Sequence, residues 1–329
     1  MTKYNLPSKK NRPRRTLNLA LSAVCILAGG AADALAQSAA APAPSRVDAL
    51  LNFEFSNEYL TPRGMIVQDK GLTFQPLVLG FADLYKNDTG LNDITLIGGF
   101  WNDLSTAPVS IHAPYGSSPK TAWVETDPIA GLSFTFAKRF KLEADYTAFF
   151  MHIEDIGTSQ HFFSTLTFDD SDYLKAFALH PFLTYWQELY GKATDANVPE
   201  AVFGPSPHSG SHPAPNSSYY LEVGVDPSYT FTNIGNIKLE LPGRVLLPNS
   251  RFYGDYYAPS STVGLWELSF KASIPLKFMP AGFGHWSFHA GVNYMYFVDD
   301  NLYNLNTFNA PGKPTRDNIQ GFCGLSLFF

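Results

Sequence analysis

Long apolar runs are missing. After the first 30 residues no stretch approaches the roughly 18 consecutive apolar residues that a membrane-spanning helix needs. Cysteine is nearly absent: of two cysteines only Cys323 lies beyond residue 36, so no disulfide can brace that part of the chain. Charge is scarce as well, at 16% of residues against about 25% in ordinary soluble proteins. Positive charge is scarcest. Residues 1–36 hold six bases and one acid of the chain's 23 Lys+Arg and 29 Asp+Glu, which leaves 17 against 28, a net of −11. Such a balance excludes nucleic acid as a partner. A glycine loop that could cradle phosphate and a thiolate metal cluster are both lacking. What is abundant is aromatic: 15% of residues, with 27 Phe and 17 Tyr. Aromatic-rich, weakly charged sequence without long apolar runs is what alternating strands in a lipid wall produce.

The N-terminus reads as an export signal. Lys3, Lys9, Lys10, Arg12, Arg14 and Arg15 precede an Ala/Leu-rich run from Leu17 to Gly30, and Ala34-Leu35-Ala36 is a small-x-small cleavage site. Residues 1–36 are therefore expected to be a cleaved signal peptide and 37–48 a flexible Ala/Pro leader. The folded unit is expected at 49–329.

From residue 49 the chain alternates apolar and polar residues in about twelve segments, a period that puts successive side chains on opposite faces of a strand. They fall near 49–61, 71–85, 92–103, 123–137, 141–150, 161–169, 176–189, 219–231, 237–248, 263–278, 285–297 and 318–329. The tenth is the cleanest, with Trp266, Leu268, Phe270, Ala272, Ile274 and Leu276 alternating with Glu267, Ser269, Lys271, Ser273, Pro275 and Lys277. The fourth and fifth, separated only by Lys138-Arg139-Phe140, make the clearest hairpin. Pro128, Pro181, Pro242 and Pro275 interrupt these segments and predict bulges, because proline removes a ladder donor. Connections after even segments are short and those after odd segments medium or long, the longest being 191–218. A barrel with all its turns at one end and all its loops at the other has that rhythm.

The last segment, from Asn318 to Phe329, ends the chain on an aromatic. It resembles the closing strand of bacterial outer-membrane β-barrels, with Gly324, Leu325, Leu327 and Phe329 in the place of the assembly signal. The expectation is an all-β fold: a transmembrane, antiparallel, up-and-down barrel of about twelve strands, with short periplasmic turns and long external loops. Ten or fourteen strands are the alternatives if segments two, six or seven are misread. Closure is required because a bare sheet edge has no water to bond in lipid. Segment twelve should then pair with segment eleven and with segment one. Tyr59, Trp266, Trp286 and Tyr296 are expected in the interfacial girdles.

On this facing the lumen collects Glu125, Asp127, Lys141, Glu143, Asp145, Glu222, Asp226, Lys238, Glu240, Arg244, Glu267 and Lys271. These residues either neutralise one another across neighbouring strands or line a narrow water-filled pore that leans towards cations. A porin-like channel for small hydrophilic solutes is the leading expectation. Its partners would be outer-membrane lipid and lipopolysaccharide, barrel-assembly machinery that reads the closing strand, and the solutes. No cofactor, metal or catalytic residue is expected. A lipase or deacylase is the rival class, with His285-Trp286-Ser287 as its only His-x-Ser spacing. In the outer-membrane phospholipase family the pattern continues Asn-Gly, whereas Phe288-His289 follow here. A structural surface protein is the third class. His208 and His212 in the long loop read as solvated residues.

Ser56-Asn57-Glu58-Tyr59-Leu60-Thr61-Pro62-Arg63-Gly64, followed by Gln75-Pro76, resembles the opening hairpin of the TorF-type porin family. That resemblance covers about 30 residues and implies a porin-like pore without a defined substrate.

Overall fold

The computed structural model describes residues 47–109, 121–152, 158–190, 218–254, 258–309 and 315–329. Residues 1–46, which include the expected signal peptide and most of the expected leader, and residues 191–217 with His208 and His212 lie outside the described residues.

Among the described residues, twelve antiparallel wall strands follow one another around a closed ring. They are β1 (Val47–Ser56), β2 (Thr73–Lys86), β3 (Leu91–Val109), β4 (Thr121–Phe136), β5 (Phe140–Met151), β6 (Ser159–Phe168) and β7 (Phe182–Tyr190). The ring continues with β8 (Tyr219–Val225 and Ser228–Phe231) and β9 (Ile237–Glu240 and Gly243–Pro248). It ends with β10 (Leu265–Pro275), β11 (His285–Phe297) and β12 (Asp317–Phe328). Each strand pairs with its sequence neighbours. The seam closes as expected from the last segment: Leu50 lies opposite Phe328 and Ser56 opposite Phe322. The Ala49 and Phe329 backbones exchange hydrogen bonds of 2.6 and 3.0 Å. Among the described residues the strand pairing leaves no open edge in the wall, which is what lipid demands.

The wall is inside out. Along β10, Trp266, Leu268, Phe270 and Ile274 are 36–53% exposed, while Glu267 and Ser269 between them are 3% and 5% exposed. The same alternation places Leu96 and Phe100 of β3, Tyr146 and Phe150 of β5, and Leu325 of β12 outside. A water-soluble barrel would reverse these faces; hydrocarbon around the ring accounts for them. No helix among the described residues is long and apolar enough to cross a membrane.

Four turns of the ring near the termini are short, at 87–90, 137–139, 232–236 and 276–284, while the fifth, 169–181, carries a short helix and delays the strand expected from residue 176 until Phe182. At the opposite end the chain runs longer, at 57–72, 249–264 and 298–316. The prolines do not make bulges, contrary to the sequence expectation. Pro181 precedes β7, Pro275 ends β10, and Pro242 separates the two halves of β9. Pro128 stays in register opposite Phe100. The bulges fall elsewhere, for example between Asp83 and Tyr85. A proline whose missing N–H lies at a strand end or break costs the ladder nothing, so no extra residue is needed.

A second correction concerns the first strand. β1 stops at Ser56, and the chain turns into the lumen instead of continuing to Thr61. Tyr59 is therefore no girdle residue; it is 5% exposed and points inward. Tyr59–Leu60 and Ile66–Gln68 pair as a miniature hairpin. Its turn closes through Gly64 N–H to the Thr61 carbonyl (2.9 Å) and Met65 N–H to Thr61 Oγ1 (3.0 Å). Gly64 has φ +83°, and a Cβ there would meet Leu265 and Leu302 at 2.7 and 2.9 Å, so only glycine fits.

Among the described residues two short α-helices lie in the connections. α1 (Ser171–Leu174) sits in the turn between β6 and β7, and α2 (Asp300–Asn309) lies between β11 and β12. Asp299 starts α2 by accepting the Asn301 and Leu302 N–H groups at 2.7 and 3.1 Å. Leu302 and Leu305, one helical turn apart, then face the inward hairpin.

Candidate functional site

The hairpin at 59–68 fills the lumen at the end far from the termini. Leu60, Met65 and Ile66 pack with Phe252 and Tyr253 of the 249–264 loop, Leu302 and Leu305 of α2, and inward-facing wall residues such as Trp186, Leu246 and Phe297. Polar pins fix its height. Tyr59 Oη donates to Glu125 (2.6 Å), Arg244 Nη2 to the Pro62 carbonyl (2.8 Å), and Tyr253 Oη to the Arg63 carbonyl (2.7 Å). Asn306 clasps the turn twice, donating to Gly64 O (2.6 Å) and accepting from Ile66 N–H (2.8 Å). Burying each of the three large side chains contributes roughly 1.5–3 kcal/mol. Each neutral hydrogen bond contributes roughly 0.5–1.5 kcal/mol. Apolar burial therefore holds the loop in, and the hydrogen bonds set its register.

The twelve residues assigned to the lumen do lie on inner faces, but as separate clusters and not as one ring. Arg244 of β9 is clamped between Glu222 of β8 and Glu267 of β10, with Nε to Glu267 at 2.8 Å. Glu240 takes Lys238 at 3.1 Å and, from directly across the β9–β10 pair, Lys271 at 3.3 Å. Lys141 bridges to Glu143 at 2.9 Å along β5, with Asp145 next on the same face. Glu125 and Asp127 of β4 stand under Tyr59, and Asp226 sits at the break in β8. Ion pairs take in eight of the twelve, five of them across neighbouring strands.

Below the hairpin lies a cavity of about 410 Å³. It reaches from Tyr59, Leu60, Pro62 and Arg63 down to Lys138, Arg139 and Asp169 in the turns near the termini. Asp127, Glu143, Asp169, Glu222 and Asp226 line it, as do Arg63, Lys138, Arg139, Lys141, Lys238 and Arg244. Trp101, Phe149, Phe163 and Trp186 supply an aromatic side. Glu125, Asp145, Glu240, Glu267 and Lys271 of the assigned set stay outside it, behind their ion pairs or neighbours.

The turn at the mouth is built on carboxylates. Asp170 accepts the backbone N–H groups of Leu179 and His180 at 3.0 Å each, and Asp169 accepts Ser171 N–H at 2.9 Å. Burial would raise both carboxyls, but hydrogen bonding to the ionised form outweighs it and holds both below the ordinary 3.8. A depressed acid contributes stability that is complete above its unfolded value and is lost as pH falls through the folded one. Below about pH 4 the 169–181 turn is expected to loosen before the wall does. Hydrogen exchange checks this, corrected for intrinsic rates. Protection at Leu179 and His180 should fall at low pH in the wild type and be low at every pH in Asp170→Asn.

His285 and Ser287 do not form a catalytic pair; His285 is exposed, and no hydrogen bond joins the two. The histidine that finds a serine is His289, four residues further along β11. Its Nδ1 lies 3.3 Å from Ser326 Oγ and its Nε2 3.2 Å from Glu54. Ser326 Oγ donates instead to Asn52 at 2.7 Å, and His289 is 2% exposed. None of these residues borders the cavity. At the closing strand, Leu325 and Phe329 face outward and Gly324 inward against Glu54, as the alternation requires.

No family model matches this chain, so the likeness of 56–76 to the TorF-type porins stands on its residues alone. No curated protein matches it either. Among solved structures, a bacterial polysaccharide outer-membrane secretin shares 10% identity over 86% of this chain and 97% of its own, at a TM-score of 0.37. The outer-membrane protein OpdK of Pseudomonas aeruginosa shares 8% over 86% and 98%, at 0.28. Acinetobacter baumannii OccAB2 shares 9% over 86% and 97%, at 0.29. The architecture rests on the strand pairing, to which likeness of this degree adds nothing.

Proposed function

We propose that the protein is a narrow, porin-like channel of the Gram-negative outer membrane for passive passage of small hydrophilic solutes. The observation that carries this reading is the inside-out wall: an apolar belt outside, and a charged lumen enclosing a cavity of about 410 Å³. A barrel of twelve strands falls between eight-stranded rings filled by side chains and sixteen-stranded porins with open channels. The inward hairpin narrows it further. Summed over residues 37–329, the excess of carboxylates favours cations over anions in the ionic current. The proposed partners are outer-membrane lipid, lipopolysaccharide and the barrel-assembly machinery. Leu325, Leu327 and Phe329 present the closing strand to that machinery.

Purified protein in planar bilayers is expected to give small, discrete conductance steps. In a salt gradient the reversal potential should have the sign of cation preference; the opposite sign would remove the cation leaning alone. No current, together with hydrolysis of phospholipid or lipid A by the same preparation, would remove the channel and favour a lipid-modifying enzyme.

A further inference from the structure

The turn between β6 and β7 brings three metal-ligating side chains to one point. Asp169 and Asp170 follow β6 directly, and His180 comes back to them from the far end of the turn. His180 Nδ1 lies 3.7 Å from Asp169 Oδ1 and 4.0 Å from Asp170 Oδ1. The three ligand atoms all fall within 4.8 Å of one another. Among the described residues, no other three histidine, cysteine or carboxylate side chains come together in this way.

The imidazole faces both carboxylates at distances too long for a direct hydrogen bond. They are close to what a shared ion requires. Zinc bonds of about 2.0–2.2 Å to nitrogen and oxygen set ligand atoms roughly 3.3–3.6 Å apart. The remaining few tenths of an ångström close by side-chain rotation, because Asp169 is exposed and His180 half-buried. Asp170 is the buried, fixed ligand. The Leu179 and His180 N–H groups orient its carboxylate through both oxygens. An ionised carboxylate offers about four acceptor positions, so these bonds still leave a lone pair for a metal, and such outer contacts are what hold ligating carboxylates in place.

The surroundings also suit a cation. Asp169 and His180 line the mouth of the chamber, which leaves a coordination position open on that side for water or solute. Asp226 of β8 lines the same mouth, and its N–H is tied to the Leu179 carbonyl at 2.8 Å. Lys138, Arg139, Lys141 and Lys238 line the cavity as well. Arg139, Lys141 and Lys238 are held by Asp172, Glu143 and Glu240 at 2.8, 2.9 and 3.1 Å, away from the three ligands. One imidazole with two carboxylates selects zinc and its transition-metal neighbours, whereas calcium and magnesium take oxygen ligands.

We propose that Asp169, Asp170 and His180 form a binding site for a divalent transition-metal cation at the chamber mouth, where the ion ties the two ends of the 169–181 turn together. The site goes beyond the channel reading, and its occupancy is measured without any current.

The test uses the full-length barrel in detergent, purified without a histidine tag. It carries His208→Ala and His212→Ala, which remove the histidine pair of the long loop from the count. Zn2+ is titrated in competition with a chromophoric chelator, and one ion per barrel is expected. His180→Gln and Asp169→Asn should each weaken binding about tenfold or more, since even an outer-shell partner of a metal is worth about 10–100-fold. Excess Ca2+ should not displace the Zn2+. At constant pH, Zn2+ should raise hydrogen-exchange protection at Leu179 and His180 in the parent and not in Asp169→Asn. Heat-modifiable migration on a gel shows that each variant is folded. Zn2+ affinity unchanged in folded His180→Gln, or ready displacement by Ca2+, overturns the site. If His180→Gln does not fold, Asp169→Asn and the exchange at Leu179 decide. An electrically silent protein that binds Zn2+ through these residues keeps this site and removes the channel. A conducting protein that binds no Zn2+ does the reverse.

Discussion

Replacing residues 57–72 by Asn-Gly is expected to leave the barrel intact and raise its single-channel conductance several-fold. The wall permits the change because Ser56 and Thr73 are already directly opposite partners, at the last position of the β1–β2 ladder. Two residues suffice to join such a pair in a tight hairpin turn. The excised segment takes with it Leu60, Met65 and Ile66, which fill the lumen, and Tyr59, Pro62 and Arg63, which roof the cavity. Beyond the Leu72 carbonyl, which accepts the Thr106 N–H of β3 at 2.9 Å, it lies outside the strand pairing that closes the ring, so heat-modifiable migration should survive. The 249–264 loop and α2 lose their packing partner and become more mobile, which predicts noisier open states. Unchanged conductance in a folded deletion variant would show that the hairpin is not the constriction.

That hairpin is also where the sequence was least legible. Strand alternation reports which face a residue takes, because one face meets lipid and the other does not. It therefore placed β10 and the β4–β5 hairpin within two or three residues of their observed bounds, and it brought Phe329 beside Ala49. The charged residues were assigned to one face by the same parity. What alternation cannot report is a loop folding back inside the ring. Glu58-Tyr59-Leu60-Thr61 continues the alternating register of β1 by accident, and Tyr59 reads as a girdle aromatic until the turn at Ser56 is seen. A signal was present nonetheless: Leu60, Met65 and Ile66 are apolar residues in a segment that a solvated external loop would not carry. Asp299 followed by Leu302 and Leu305 likewise carried a helix start and spacing within what read as a loop. The grouping of lumen charges depends on which strands are adjacent and how they stagger. Glu222, Arg244 and Glu267 meet because β8, β9 and β10 are neighbours in one register. The row of stacked rings Phe149, His161, Trp186 and Tyr220 was missed for the same reason, since its four members come one from each of four strands.

Arg244→Ala is expected to be the most destabilising single change in the wall, by about 3–5 kcal/mol. Arg244 is 6% exposed, and its partners Glu222 and Glu267 are 8% and 3% exposed. Removing the cation leaves two buried carboxylates with no cation between them. The cost comes from those stranded charges more than from the lost contacts. A matched replacement should therefore recover most of it: Arg244→Met together with Glu222→Gln and Glu267→Gln fills the volume and removes both charges. Urea denaturation in detergent, read by the shift in gel migration, compares the three proteins. The expected order of midpoints is wild type close to the triple variant, with Arg244→Ala well below both. A triple variant as weak as Arg244→Ala would mean that the guanidinium acts mainly through its bond to the Pro62 carbonyl. Conductance separates these two accounts, because loss of that bond frees the hairpin and raises the current in both variants. Stranded carboxylates alone weaken the wall in Arg244→Ala and leave the triple variant firm.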